Sequence, residues 1–188
     1  MTTTAKNPNS TARLVIVLFA ITAIVALLLG LTNYITADKI EAITAEKTAK
    51  AFSEVLPGEY SFEELDGSFE LDSGKLTGVY EARNGSVLGG YVVRLSVSGS
   101  QGDIDMAVGV GTDGKVSGVS IIGMSETAGL GSKASDEGWR SQFIGADSAL
   151  AVNKDGGTID ALTGATVTSR AVTNGVNSAL SVVSGLLG

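Results

Sequence analysis

The 188-residue chain contains no cysteine and no histidine. The first absence excludes disulfides, iron–sulfur clusters and thiolate zinc sites built by this chain alone, and it leaves the redox state of its compartment open. The second removes the usual base of serine and cysteine nucleophiles and the commonest metal ligand. Redox chemistry on such a chain needs a borrowed cofactor. Prolines number 2 against 25 glycines, and aromatic residues make up 5% of the sequence. Tight turns and close backbone approaches are therefore expected, with a core of valine, leucine, isoleucine and alanine. Positive charge is also scarce where the bulk of the chain lies. All 20 acidic residues but only 11 of the 13 basic ones follow Ala37, giving that part a net charge near −9. A surface of that sign repels phosphate backbones, so nucleic acid is excluded as a partner.

What the chain does have is a long apolar run. Leu14 to Ala37 carries no charge, and at about 1.5 Å per helical residue it reaches about 36 Å, enough to cross a bilayer with some tilt. A cleaved signal peptide would have a shorter apolar region, and no small-residue cleavage pattern precedes Asp38, so residues 14–37 are expected to stay as a transmembrane helix. Lys6 and Arg13 precede the span, while Lys39, Lys47 and Lys50 follow it closely. Charge counting alone does not decide the orientation. Long domains are translocated largely regardless of charge, which favours residues 1–13 as a cytoplasmic tail and an extracytoplasmic domain beyond the span.

Residues 38–58 read as a helical connector, with Ile40, Ile43, Lys47, Ala51 and Val55 at helical spacing before Pro57 and Gly58 stop it. Residues 59–188 are long enough for one domain with one core. The acidic stretch 59–72 reads as a loop or a short strand. Strands are expected at 76–82 and 86–98 around Asn84-Gly85, and at 104–111 and 116–123 around the turn from Thr112 to Lys115. A short helix over 136–144 presents Trp139 and Phe143 four residues apart, and a last helix over 166–187 carries an apolar stripe of Val172, Val176, Ala179, Leu180 and Val183. The expected fold class is α+β: an amino-terminal transmembrane helix, then a four-stranded antiparallel sheet flanked by helices.

The sharpest local pattern opens the last helix: Asp160-Ala161-Leu162-Thr163-Gly164-Ala165-Thr166. Amides at a helix start, together with the helix dipole, favour a phosphate, and Gly164 and Ala165 leave its approach open. The same threonines also suit an ordinary N-cap with no ligand. Upstream, Glu126-Thr127-Ala128-Gly129-Leu130-Gly131 forms a glycine-bearing loop. Taken alone, Glu126 reads as a solvated loop charge, Thr127 as a turn hydroxyl and Leu130 as core filler.

Together these two segments resemble the FMN-binding domain family, in its version found in G subunits of Rnf-type ion-translocating electron-transport complexes and, more distantly, C subunits of sodium-translocating quinone reductases. Asp160 to Thr166 matches an aspartate, two variable residues, serine or threonine, then glycine-alanine-threonine. The upstream loop matches glutamate-threonine-x-glycine-leucine-glycine. Family members often carry histidine shortly before that glutamate and proline at x, where this chain has Met124 and Ala128, so no histidine-based proton role carries over.

The resemblance implies FMN joined through its phosphate to Thr166 by a magnesium-dependent flavin transferase that uses FAD. Asp160 would be read during that modification, and Thr163, Gly164, Ala165, Glu126, Thr127 and Leu130 would line the cofactor. It further implies other membrane subunits of an Rnf-type complex as partners, coupling ferredoxin and NAD oxidoreduction to export of sodium ions or protons. A stand-alone anchored flavoprotein and a non-redox binding module are the competing readings.

Overall fold

The computed structural model describes residues 8–188 other than Ser68, with side chains from Ala12 onward. Lys6, with most of the expected tail, lies outside the described residues. Helix α1 runs without a break over Pro8–Val55. Its most apolar 18-residue window has a mean hydropathy of 3.1 and none of it is buried, so the helix is long and apolar enough to cross a membrane. The chain divides into two compact units, Met1–Ala45 and Glu46–Gly188. The second unit begins inside the segment expected as a connector. Ala51, Phe52 and Val55 are buried there, in a core cluster with Leu56, Ala82, Val92, Ala107 and Ile122.

The sheet has five strands, not four: β1 (Ser61–Glu64), β2 (Lys75–Asn84), β3 (Val87–Ser98), β4 (Asp103–Gly111) and β5 (Val116–Met124), in that spatial order and antiparallel throughout. The extra strand comes from the acidic stretch. Ser61 to Glu64 pairs with Arg83 to Tyr80 at the sheet edge, where solvent takes the charges and a short strand suffices. The first hairpin turns at Gly85-Ser86, one residue later than expected, because Asn84 pairs with Val87 and Gly85 supplies the positive φ of 60°.

Alternation along the strands builds two cores. In β4, Ile104, Met106, Val108 and Val110 face one cluster, while Ala107 faces the cluster around Phe52. Strand β5 breaks the period of two, and the register shows why. Val110 pairs with Val116 and Gly109 with Gly118, leaving Ser117 as an extra residue. Such a bulge shifts the facing of everything beyond it, which puts Val116 and Val119 on the same side. The Ser117 hydroxyl donates to the Val55 carbonyl at 2.6 Å, so the bulge also receives the end of α1.

Helix α3 (Thr166–Leu187) covers the other face, with Val172, Val176, Ala179 and Val183 fully buried. It approaches the sheet tightly at Gly175, where a methyl group would stand 2.9 Å from the Met106 sulfur. The helix expected over 136–144 is a single α-turn, α2 (Glu137–Arg140), followed by a 3₁₀ turn over Ser141–Phe143. Trp139 and Phe143 nevertheless meet edge to face, centroids 5.3 Å apart, with Phe143 wholly inside the core.

Candidate functional site

The first turn of α3 is bare. Its N-cap residue is Ala165, and among the described residues no side chain caps the helix. Neither Thr163 nor Thr166 plays the N-cap role that local physics offered them. The amides of the first turn therefore remain available to an anion, and the dipole adds to their pull. Thr166 is the first helical residue and is half-buried, while Thr163 and Gly164 are exposed. Gly164 has φ of 78°, a left-handed conformation that disfavours any side chain, and a methyl group there would stand 3.2 Å from a Leu130 methyl. That contact brings the two sequence segments together, with Leu130, 44% exposed, lying beside the glycine of the other motif.

The turn before the helix is held from inside. The buried Ser169 hydroxyl donates to the Ala165 carbonyl at 3.0 Å and accepts from the Leu162 amide at 2.9 Å. Asp160 is exposed but firmly held. Its amide donates to Gln142 Oε1 at 2.8 Å, its carbonyl accepts from Trp139 Nε1 at 2.7 Å, and its carboxylate accepts from Asn153 Nδ2 at 2.9 Å. Trp139 thus packs on Phe143 and also fixes the motif.

Glu126 is not a solvated loop charge. Oε1 accepts from the Ser100 and Gln101 amides at 2.7 and 3.1 Å, and Oε2 accepts from the buried Thr168 hydroxyl at 2.8 Å. Partial burial pushes its carboxyl pKa up, but the three hydrogen bonds outweigh that and hold it below the ordinary value. Thr127 is exposed, and its carbonyl closes the loop by accepting from the Leu130 and Ser132 amides at 3.1 and 3.2 Å.

Gln142, Asn153, Thr168 and Ser169 escaped the sequence reading. For Thr168 and Ser169 one signal existed, since both lie at helical spacing from Val172 and Val176 on the apolar stripe, where a polar residue needs a partner. Asn153 and Gln142 carried none.

An antiparallel sheet whose covering helix starts uncapped at a threonine-glycine-alanine-threonine turn suits a cofactor held by its phosphate. The FMN-binding domain family matches residues 99–181, from the β3–β4 turn through most of α3, and the chain carries such a domain. Over nearly its whole length it aligns with the G subunit of the Na(+)-translocating ferredoxin:NAD(+) oxidoreductase complex of Acetobacterium woodii, 37% identical over 93% of this chain and 92% of that one. The G subunit of the ion-translocating oxidoreductase complex of Methanosarcina acetivorans is 34% identical over 92% and 94%. The G subunit of the proton-translocating ferredoxin:NAD(+) oxidoreductase complex of Clostridium ljungdahlii is 42% identical over 58% of this chain and 61% of that one. A crystal structure of Shewanella oneidensis NqrC aligns over 53% of each chain at 26% identity, with a TM-score of 0.45. The chain belongs to the family of G subunits of ion-translocating oxidoreductase complexes.

Proposed function

We propose that this chain is the membrane-anchored electron-transfer subunit of an Rnf-type complex, and that its FMN is joined through the phosphate to Thr166. The attachment rests on one observation: Thr166 is the first residue of a helix that no described side chain caps, close to the exposed Gly164, whose missing side chain leaves the approach open. The residues present fit the group. The first-turn amides and helix dipole complement a phosphodiester, and Leu130, beside Gly164, offers an exposed apolar surface of the kind a flavin ring needs.

In the attachment step the Thr166 hydroxyl oxygen bonds to the FMN-side phosphorus of FAD. The bond bridging the two phosphates breaks, AMP leaves with its electron pair, and the hydroxyl proton passes to a base of the flavin transferase. Asp160, presented on a held loop, is the residue that enzyme reads. The product is a diester with one negative charge. When bound, the flavin supplies one- and two-electron chemistry, while the chain fixes its place and surroundings. Thr163, Gly164 and Ala165 shape the turn under the phosphate. Residues 1–13 form a cytoplasmic tail, 14–37 the span, 38–58 a connector whose last turns enter the domain's second core, and 59–188 the rest of the extracytoplasmic FMN-binding domain. Tethering by span and ester replaces diffusional encounter by a high local concentration, which suits a relay among the other membrane subunits.

The test is intact mass and visible spectrum of the protein from its native membrane. The expected result is a flavin spectrum and a mass gain of one FMN less one water, mapped to the peptide holding Thr166. A colourless protein of unmodified mass would overturn the reading.

A further inference from the structure

Three segments distant in sequence meet at one carboxylate. Glu126 follows the end of β5, Ser100 and Gln101 form the β3–β4 turn closed by the Gly99 amide on the Gly102 carbonyl at 2.8 Å, and Thr168 lies in the first turn of α3. Three of the carboxylate's roughly four acceptor positions are filled from within the chain. The glycines around it leave no slack. A methyl group at Gly99 or Gly131 would collide with a Glu126 oxygen, and one at Gly131 would also stand 2.9 Å from the Thr168 hydroxyl. Thr168 itself is fully buried, so its hydroxyl depends on this partner.

This geometry bears on Thr166, two residues earlier. A helix start without a cap frays readily, and fraying would swing the hydroxyl that carries the ester. The Ser169 hydroxyl holds the chain just before the helix, but it bonds only to neighbours within seven residues. The Glu126 to Thr168 hydrogen bond spans 42 residues and ties the first turn to the sheet. Bonds to an ionised carboxylate are roughly twice as strong as neutral ones.

We infer that Glu126 is a positioning residue for flavin attachment. It acts through Thr168 to hold the first turn of α3 against the β3–β4 turn, and it makes no contact with the flavin. The inference rests on Thr166 as the attachment point.

The full-length protein, expressed with and without its flavin transferase, carries the test, using Glu126→Gln, Glu126→Ala, Thr168→Val and Thr166→Ala. Glutamine keeps an oxygen for the Ser100 and Gln101 amides and turns its NH₂ toward the Thr168 hydroxyl, so it should preserve the link. In the unflavinylated protein, amide hydrogen exchange at Ser169, Arg170 and Ala171 should quicken at least tenfold in Glu126→Ala and Thr168→Val but stay near wild type in Glu126→Gln. With limiting transferase, flavin occupancy should fall at least threefold in the first two variants and be rescued by glutamine, at an unchanged flavin potential. Unaltered exchange in Glu126→Ala or Thr168→Val would overturn the inference. So would a shifted potential with wild-type exchange in Glu126→Gln, because the charge would then act on the flavin directly. Covalent flavin retained by Thr166→Ala would overturn the attachment reading, while the exchange measurement, made without flavin, still decides whether Glu126 orders the helix start.

Discussion

The indole N–H of Trp139 donates to the main-chain carbonyl of Asp160 at 2.7 Å, joining the short α2 turn to the first residue of the Asp160–Thr166 segment. Removing this donor while keeping an aromatic ring tests its worth. Trp139→Phe should cost about 0.5–1.5 kcal/mol, the usual net value of one hydrogen bond, because a ring can still pack on Phe143. Denaturant unfolding reads the stability, and intact mass under limiting transferase should show lower flavin occupancy. Wild-type occupancy in the variant would separate Trp139 from the motif's presentation.

Thr166→Ala should abolish covalent flavin and barely touch the fold. The residue makes no cap, so the stability change should stay within about 0.5 kcal/mol, as for most substitutions away from special features. Mass spectrometry and a thermal melt of the unflavinylated protein check both parts. FMN still attached to the alanine variant would move the ester elsewhere.

Phe52 fills the second core from the last turns of α1, meeting Phe62 at 5.2 Å and Tyr80 at 4.8 Å between ring centroids. Phe52→Ala should therefore destabilise the domain by about 3–5 kcal/mol. Truncation to residue 59 should be worse still, since it removes Ala51, Phe52, Val55 and Leu56 together. A truncated domain as stable as the full chain in detergent would show that α1 adds nothing to this core.

Acid should weaken the domain as the carboxylates held below their ordinary values, Glu54, Glu126 and Asp155, take up protons. Burial pushes the Glu54 carboxyl up, but hydrogen bonds from Arg140 at 2.8 Å and Ser120 at 2.8 Å, with the nearby Lys50 charge, hold it below the ordinary 4.5, and Glu126 is lowered likewise. A carboxylate whose folded pKa is depressed contributes stability above its unfolded pKa and loses it as pH falls through the folded value. Tm should be flat above about pH 5.5 and decline below 4.5. Glu54→Gln should lower the plateau and make the acid limb shallower. An acid limb of unchanged slope in that variant would remove Glu54 from the transition.

Protease added to intact spheroplasts should digest the domain and leave a small membrane-bound amino-terminal fragment. The outside location follows from the relay proposed for the flavin, since charges flanking the span give no clear bias. Protection of the domain until the membrane is opened would reverse the orientation.

Much of this protein could be read from residue order alone, because its determinants are local. An uncharged run from Leu14 to Ala37, the turn glycines of the hairpins and the apolar stripe of α3 each act over a few residues, where hydropathy and allowed dihedrals suffice. The segment from Asp160 to Thr166 stood out only through its resemblance to a family motif, which contiguous residues are enough to carry. What only the tertiary structure decided depends on pairings across long separations. The edge strand Ser61–Glu64 exists because β2 offers it a ladder, and acidic side chains conceal it from any hydrophobic pattern. The parity of β5 turns on the Ser117 bulge, which its partner β4 defines. The cap that local physics offered α3 is missing because Ala165, not Thr163 or Thr166, takes the N-cap position. Glu126 read locally as a loop acid and by resemblance as a cofactor residue, but its partners, two amides from residues 100 and 101 and a hydroxyl from Thr168, were set by folding alone. A carboxylate's partners are chosen by where the chain returns in space, and sequence neighbours carry no record of that.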